Sequence, residues 1–279
     1  MTPQISVIMR AKDRAHTIGG AIDAVRAQDV DVELIVVDSG STDGTVEVAR
    51  ERADRLIEIA AEDFTYGGAL NIGAAAASGE VHVALSAHCV LPQTSWMRRA
   101  AMHLEDPGVG ATTGAKFSAL GELLEGPVRQ VGAPADDPHV WWGYSNHAGA
   151  WRADVWREFP FSTDLVACED KEWSIRIRRA GKAVVMDPEL YLAAKHRRHE
   201  GIPALYRRSV REGQGIQMIT GRPLMTLKDA AKEWFTLQEG RSVFIQVANP
   251  YRMTELVGRM VGERQAAGSD VRQTQAAES

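Results

Sequence analysis

Several groups of residues in this chain have types and spacings suited to chemistry. Val36-Val37-Asp38-Ser39-Gly40-Ser41-Thr42-Asp43-Gly44-Thr45 ends an apolar, β-branched run in a carboxylate followed by small polar residues. A carboxylate closing a buried strand can accept hydrogen bonds from a nucleobase or ribose, and Gly and Ser let the backbone turn tightly beside a ligand. The same residues also suit a plain strand-to-helix turn in which Asp43 or Thr42 caps the helix. Ser86-Ala87-His88 closes a second apolar run. Cys168-Glu169-Asp170-Lys171-Glu172-Trp173 sets two carboxylates at a helix start, where the helix dipole alone favours acids. His196-Arg197-Arg198-His199 flanks two guanidiniums, which can hold phosphate oxygens bidentately, with two imidazoles. A solvated basic loop is the competing reading there.

These groups need a scaffold that delivers them to one place. Residues 5–9 read as a buried strand and 15–28 as a helix, with Ile18, Ala21, Ile22 and Val25 at helical spacing. A second strand over 32–37 ends at Asp38. A helix over 45–53, a short strand over 55–59, a small-residue helix over 69–77 and a strand over 81–85 follow. Strands alternating with helices predict a parallel sheet with right-handed crossovers. Ligands of such sheets bind beyond the carboxyl ends of the strands, where Asp38 and Ser86-Ala87-His88 fall. Residues 111–150 are less periodic, 169–180 read as a helix and 183–186 as a strand, and the pattern beyond 202 is helical and basic.

Ser6-Val7-Ile8-Met9-Arg10, the run from Val36 to Thr45, and Gly67-Gly68-Ala69-Leu70-Asn71-Ile72-Gly73 with Ala77-Ser78-Gly79-Glu80 resemble the successive motifs of family 2 inverting glycosyltransferases with the GT-A fold. The resemblance covers residues 5–199, and ordered motifs at suitable separations are more specific than any one alone. It implies an α/β fold: a Rossmann-like, mostly parallel central sheet flanked by helices, with a C-terminal helical extension. It also implies transfer of a sugar from a nucleotide diphosphate sugar to an acceptor hydroxyl. Asp38 is then expected on the base, Arg10 and Asp13 near the nucleotide, and Ser39, Asn71, Ser86 and Ala87 in the donor site. Asp170 matches the residue that takes the acceptor proton in relatives, with Glu169 orienting the acceptor.

Relatives carry Asp-x-Asp where this chain has Ser86-Ala87-His88. The resemblance therefore implies His88 as a ligand of a divalent metal whose charge offsets that developing on the leaving nucleotide. An imidazole favours Mn²⁺, with Mg²⁺ as the alternative. The resemblance implies one more ligand from His199 or His196, between which the sequence does not choose. The competing reading of His88 is a histidine that merely closes a strand. Trp141, Trp142 and Trp173 are the expected acceptor contacts, because aromatic faces stack on sugar rings, although tryptophan serves cores equally well. Asn146 and His147 follow in a region that lines the acceptor site in relatives, with no role assigned.

Composition narrows the classes. With 279 residues, 44% apolar and 25% charged, the chain can bury a full core. A net charge of -5 offers no general attraction to nucleic acid. Cys89 and Cys168 are too few for a disulfide framework and too distant for a CxxC site. No apolar run reaches the length of about 18 residues that a membrane span needs. A cytoplasmic protein is expected, with the basic stretch from Tyr206 to Arg211 available to meet the inner membrane surface. GxxxxGK[ST], GxGxxG and GxSxG are absent, which sets aside P-loop, dinucleotide and simple hydrolase readings. Two rival functions stay in view. One is a non-catalytic nucleotide-sugar or carbohydrate-binding protein; the other is a nucleotidyltransferase, although Arg10-Ala11-Lys12-Asp13-Arg14 lacks the glycine-rich loop it would need. The expected organisation is a catalytic domain over 1–200, split into a nucleotide half at 1–110 and an acceptor half at 111–200. A helical extension over 201–262, which offers a homodimer contact, and a polar tail over 263–279 complete it.

Overall fold

The apolar runs form a sheet buried on both faces. In the computed structural model, which describes residues 5–134, 142–194, 201–223, 226 and 250–277, β1 (Ile5–Ala11) lies between β2 (Val32–Asp38) and β4 (Val81–Ser86), parallel to both. β3 (Arg55–Glu58) extends the sheet beside β2. Beyond β4 come β8 (Ala148–Arg152), β6 (Val109–Gly114), β9 (Ala183–Asp187) and β7 (Val128–Gln130), giving eight strands in the order β3-β2-β1-β4-β8-β6-β9-β7. Only β8 and β7 run against their neighbours. The expected α/β class with a mostly parallel sheet flanked by helices is what the chain forms.

Side chains alternate across the sheet. Val7, Met9, Leu34, Val36, Val83 and Leu85 join one core cluster with Ile18, Ile22 and Val25 of α1 (Ala15–Arg26) and Trp96, Met97 and Ala100 of α4 (Trp96–Leu104). Ile8, Ile35, Val37 and Ala84 join a second with Leu70 and Ala74 of α3 (Tyr66–Ala76) and Trp173 and Ile177 of α6 (Glu169–Arg179). Each such aliphatic side chain contributes roughly 1.5–3 kcal/mol by leaving water. Two-sided burial explains why the strands read as unbroken apolar runs rather than alternating ones. α2 (Thr45–Arg52) and α5 (Ala153–Glu158) complete the helices around the sheet.

Two motifs serve this architecture. Glu33, on β2, accepts hydrogen bonds from Ser6 Oγ at 2.7 Å and from the Ser78 N–H and hydroxyl at 2.8 Å each, so the Ser78-Gly79 turn is fastened to both strands. The glycines of α3 permit close approach: a Cβ on Gly73 would stand 2.4 Å from Ile8 Cγ2, and one on Gly67 2.0 Å from the Ser162 carbonyl oxygen.

The chain divides into two compact units, Met1–Thr163 with Asp170–Lys195, and Asp164–Glu169 with His196–Ser279. In the second unit α7 (Gly201–Thr220) and α8 (Pro250–Ala277) meet backbone to backbone, since a Cβ on Gly213 would stand 2.1 Å from the Arg259 carbonyl oxygen and one on Gly262 1.9 Å from that of Val210. Among the described residues no helix is long and apolar enough to cross a membrane.

Candidate active site

Strand order alone brings the predicted site residues to one end of the sheet. In register Ala11 lies beside Asp38 on one side, and Arg10 beside Ser86 on the other. Two inter-strand spacings thus separate the exits of β2 and β4 by roughly 10 Å.

The loops leaving β1 and β2 are laced into one structure. Asp38 is 0% exposed. Its Oδ1 accepts the N–H of Gly40 at 2.9 Å and of Ser41 at 2.8 Å, and its Oδ2 accepts the Ser41 hydroxyl. Ser39, also buried, donates its hydroxyl to the Ala11 carbonyl at 3.3 Å. Asp13 takes the left-handed conformation with φ 49°, accepts the Thr42 N–H at 2.9 Å, and gives its own N–H to Ser41 Oγ at 2.8 Å. Asp43 braces both helix starts by accepting the Ala15 N–H at 3.0 Å and the Thr45 N–H at 3.1 Å. Slight burial works against the ionised Asp43 carboxyl, but hydrogen bonds from the Thr45 hydroxyl and these backbone groups outweigh it and hold the group below the usual carboxylate range. Arg10 donates to the Tyr66 carbonyl at 2.8 Å and lies 5.4 Å from the Tyr66 ring centroid. The exposed Lys12 donates to the Gly40 carbonyl.

A second group assembles where β4 leaves the sheet. Because β8 is antiparallel to β4, its first residues stand beside the last residues of β4: Ala148 pairs with Leu85, and the Ser86 N–H donates to the His147 carbonyl at 3.0 Å. That pairing sets the rings of His88 and His147 edge to face, 5.9 Å between centroids and 87° between planes. Ser145 Oγ lies 3.0 Å from His147 Nδ1. Asn146, buried, gives its N–H to Asp170 Oδ2 at 3.3 Å, and Lys171 Nζ donates to the Tyr144 carbonyl at 2.6 Å. The first residues of α6 therefore hold the 143–147 loop. Ser86, His88, His147 and Asp170 are all partly exposed, whereas Ala87 is buried.

Other expectations meet a different geometry. Asn71 spends its amide on the protein: Nδ2 donates to the Phe161 carbonyl at 2.8 Å, and Oδ1 accepts the Trp156 indole N–H at 2.9 Å and the Phe161 N–H at 3.0 Å. Three of its four hydrogen-bonding positions are thereby filled, so Asn71 clamps the 156–161 segment. Trp173 is not at an acceptor surface. It is 0% exposed, 4.9 Å from Phe161 and 5.2 Å from Tyr144 between ring centroids, with its indole N–H donated to the Phe159 carbonyl. Trp142 is half-buried and donates to the Phe117 carbonyl at 2.9 Å. Trp141, His196 and His199 lie outside the described residues. Glu169 is buried as the first residue of α6.

The donor chemistry can be tested against a divalent cation. Among the described residues no group of three or more His, Cys, Asp and Glu side chains is placed to hold one. His88 and His147 offer two imidazoles at the exit of β4, and β10 (Ala193–Ala194) pairs with β5 (Cys89–Val90), setting Ala194 opposite Cys89, the residue after His88. Nitrogen donors of this kind suit Mn²⁺ and its later neighbours better than Mg²⁺.

In a mostly parallel α/β sheet ligands bind beyond the carboxyl ends of the strands, which is where the laced loops of β1 and β2 and the polar cluster after β4 lie. Residues 6–159 match glycosyl transferase family 2, and the chain belongs to that family. Glycosyltransferase AglE of Haloferax volcanii is 33% identical over 119 residues, which are 40% of this chain and 39% of AglE; the match spans about two fifths of that relative. The mannosyltransferase PcManGT of Pyrobaculum calidifontis, solved with GDP-Man and Mn²⁺, shares the fold with a TM-score of 0.60 at 21% identity, over 100% of this chain and 76% of that one. Glucosyl-3-phosphoglycerate synthase of Mycobacterium tuberculosis, solved with Mn²⁺, UDP and glucosyl-3-phosphoglycerate, does so with a TM-score of 0.55 at 19% identity, over 78% and 80%.

Proposed function

We propose that this chain is an inverting glycosyltransferase that moves a sugar from a nucleoside diphosphate donor to an acceptor hydroxyl. The observation that carries this is the placement of Ser86, His88, His147 and Asp170 at the end of β4, one strand away from the loop that Asp38 organises. The Asp13–Ser41–Asp38 lattice presents backbone and side-chain polar groups to the nucleotide. Asp38 acts on the base through the loop it braces, since its own carboxylate is buried.

A divalent cation, when bound, offsets the charge that develops on the departing diphosphate. His88 would hold it, with Mn²⁺ favoured and Mg²⁺ second, and the family resemblance adds His196 or His199 as a further ligand. Asp170 takes the acceptor proton as oxygen attacks the anomeric carbon from the face opposite the nucleotide. Its carboxylate is partly exposed and held in place by the Asn146 N–H, which suits a fixed base. Trp142 lies near enough in sequence to this loop to form one wall for the acceptor.

The products fit glycan, cell-surface polysaccharide or natural-product synthesis. The chain works in the cytoplasm, where Arg207 and Arg211, exposed on α7, give a cationic approach to an anionic membrane surface. The test is release of nucleoside diphosphate from a panel of nucleotide sugars with Mn²⁺. Asp170→Asn is expected to lower transfer by about 10²–10⁴-fold while leaving donor affinity unchanged; full turnover in that variant would refute the base assignment.

A further inference from the structure

His147 belongs to no motif of the chain, yet it stands against His88. Three observations make the pair more than an accident of packing. The separation of 5.9 Å between ring centroids is close to the roughly 5 Å that two imidazoles adopt when they share one ion through bonds of about 2.1 Å, so a small rotation of either ring closes the gap. The backbone that carries His147 is fixed to the backbone leading to His88 by the Ser86 N–H to His147 carbonyl bond at 3.0 Å, so the two rings keep their spacing. Ser145 Oγ sits 3.0 Å from His147 Nδ1, and in the tautomer whose Nδ1–H donates to that hydroxyl the lone pair is on Nε2. An orienting partner on the far nitrogen is the arrangement that metal-bound histidines use.

We propose that His147 is the second imidazole of the cation seat, so that where relatives set carboxylates this chain sets a nitrogen pair, His88 with His147. The inference rests on the metal-assisted reading above and deepens it: it names the ligand that compensates for Ser86. A two-nitrogen seat shifts preference along the series from Mg²⁺ towards Mn²⁺, Co²⁺ and Zn²⁺, because imidazole binds the later ions more strongly and Mg²⁺ keeps its waters.

The experiment uses the full chain stripped with chelator, then titrated with Mn²⁺ alone, without nucleotide. Free Mn²⁺ is counted by its electron paramagnetic resonance signal, and bound Mn²⁺ is examined for nitrogen couplings by electron spin echo modulation. The unmodified protein is expected to bind Mn²⁺ with imidazole nitrogen couplings. His147→Gln and, independently, His147→Asn are each expected to weaken binding at least roughly tenfold and to remove one nitrogen, with the metal-free unfolding midpoint unchanged. His147→Asp, which restores an oxygen ligand, is expected to narrow the Mn²⁺ to Mg²⁺ affinity ratio. Wild-type affinity and nitrogen count in both amide variants would overturn the proposal while leaving His88 as a ligand. Failure of the unmodified protein to bind Mn²⁺ at all, with transfer intact in chelator, would overturn this proposal together with the metal-assisted reading.

Discussion

Ser41 stands between Asp38 and Asp13: its hydroxyl donates to Asp38 Oδ2, and the same oxygen accepts the Asp13 N–H at 2.8 Å. One side chain therefore joins the loop leaving β2 to the loop leaving β1. Ser41→Ala removes both bonds, each worth about 1 kcal/mol, more for the one to a carboxylate. The expected outcome is a loss of roughly 1–3 kcal/mol in urea unfolding and weaker nucleoside diphosphate binding by calorimetry. Unchanged nucleotide affinity would show that the lattice does not shape the donor site.

Asn71 separates a clamp from a ligand. Asn71→Ala strips partners from the Phe161 N–H, the Phe161 carbonyl and the Trp156 indole at once. Leaving such groups unsatisfied costs about 1–3 kcal/mol each, reduced where water reaches them. The variant is expected to unfold several degrees lower while donor affinity, measured below the transition, stays at the wild-type value. A large loss of affinity with normal stability would return Asn71 to the donor site.

His82 predicts an acid limb. This β4 residue is 2% exposed, its ring 5.8 Å from that of Trp151 and 5.9 Å from that of Trp156. Burial pushes its pKa down to about 4, against a smaller upward pull from a backbone hydrogen bond at Gly79. The folded state thus binds the proton less well than the unfolded chain. Above pH 6.5 the group is neutral in both states and costs nothing. As pH falls from 6.5 towards 4 the unfolded chain takes up the proton first, and about 3 kcal/mol of stability is lost across that window. His82→Gln is expected to flatten the stability profile between pH 6.5 and 4, as read by urea midpoints at pH 7 and 4.5. Asp187 adds a separate, lower limb. Burial opposes its ionisation, but bonds from Arg99 and His103 prevail and depress its pKa, so its stabilising effect is lost below the ordinary carboxylate range.

Gly67 is held to its residue type by the backbone of the 161–163 segment. A Cβ there would meet the Ser162 carbonyl oxygen at 2.0 Å, a contact that backbone must move to relieve. Gly67→Ala is expected to destabilise by more than about 2 kcal/mol, in contrast to Thr65→Ala, which loses only the cap to the Gly68 N–H, worth about 1 kcal/mol. Equal midpoints for the two variants would contradict this ordering.

The first half of the sheet was legible because its strands are covered on both faces and therefore appear as short apolar blocks. Strands read at 32–37 and 81–85 differ from Val32–Asp38 and Val81–Ser86 only at an end. α4 did carry a signal that went unread, since Trp96, Met97, Ala100 and Leu104 recur at helical spacing opposite Arg98 and Arg99, whereas β6 carried little, Val109-Gly110-Ala111-Thr112-Thr113 being small and mildly polar. For the site, residues that end strands were placed correctly at one end of the sheet, since chain direction fixes that much. Trp173 turned out to be a core residue, because aromatic type alone does not tell a sugar platform from a core, and Asn71 turned out to hold Phe161 and Trp156, since a motif shows which residues are constrained without showing what constrains them. His147 was legible only as part of a region that lines the acceptor site in relatives, with no role assigned. Its proximity to His88 arises from an antiparallel pairing between segments some sixty residues apart, which no local pattern contains.

That reversal of β8 has a structural corollary. In a wholly parallel sheet every connection at the working end would also have to launch a helix, and its length and sequence would be tied to the helix it feeds. A strand that begins at this end instead accepts an arriving loop, here the stretch before Ala148, which hands over to β8 without owing anything to a crossover. The residues that lead into β8, apart from Asn146 and His147 with their contacts to Asp170 and His88, can therefore vary without disturbing any helix that a crossover would have to launch.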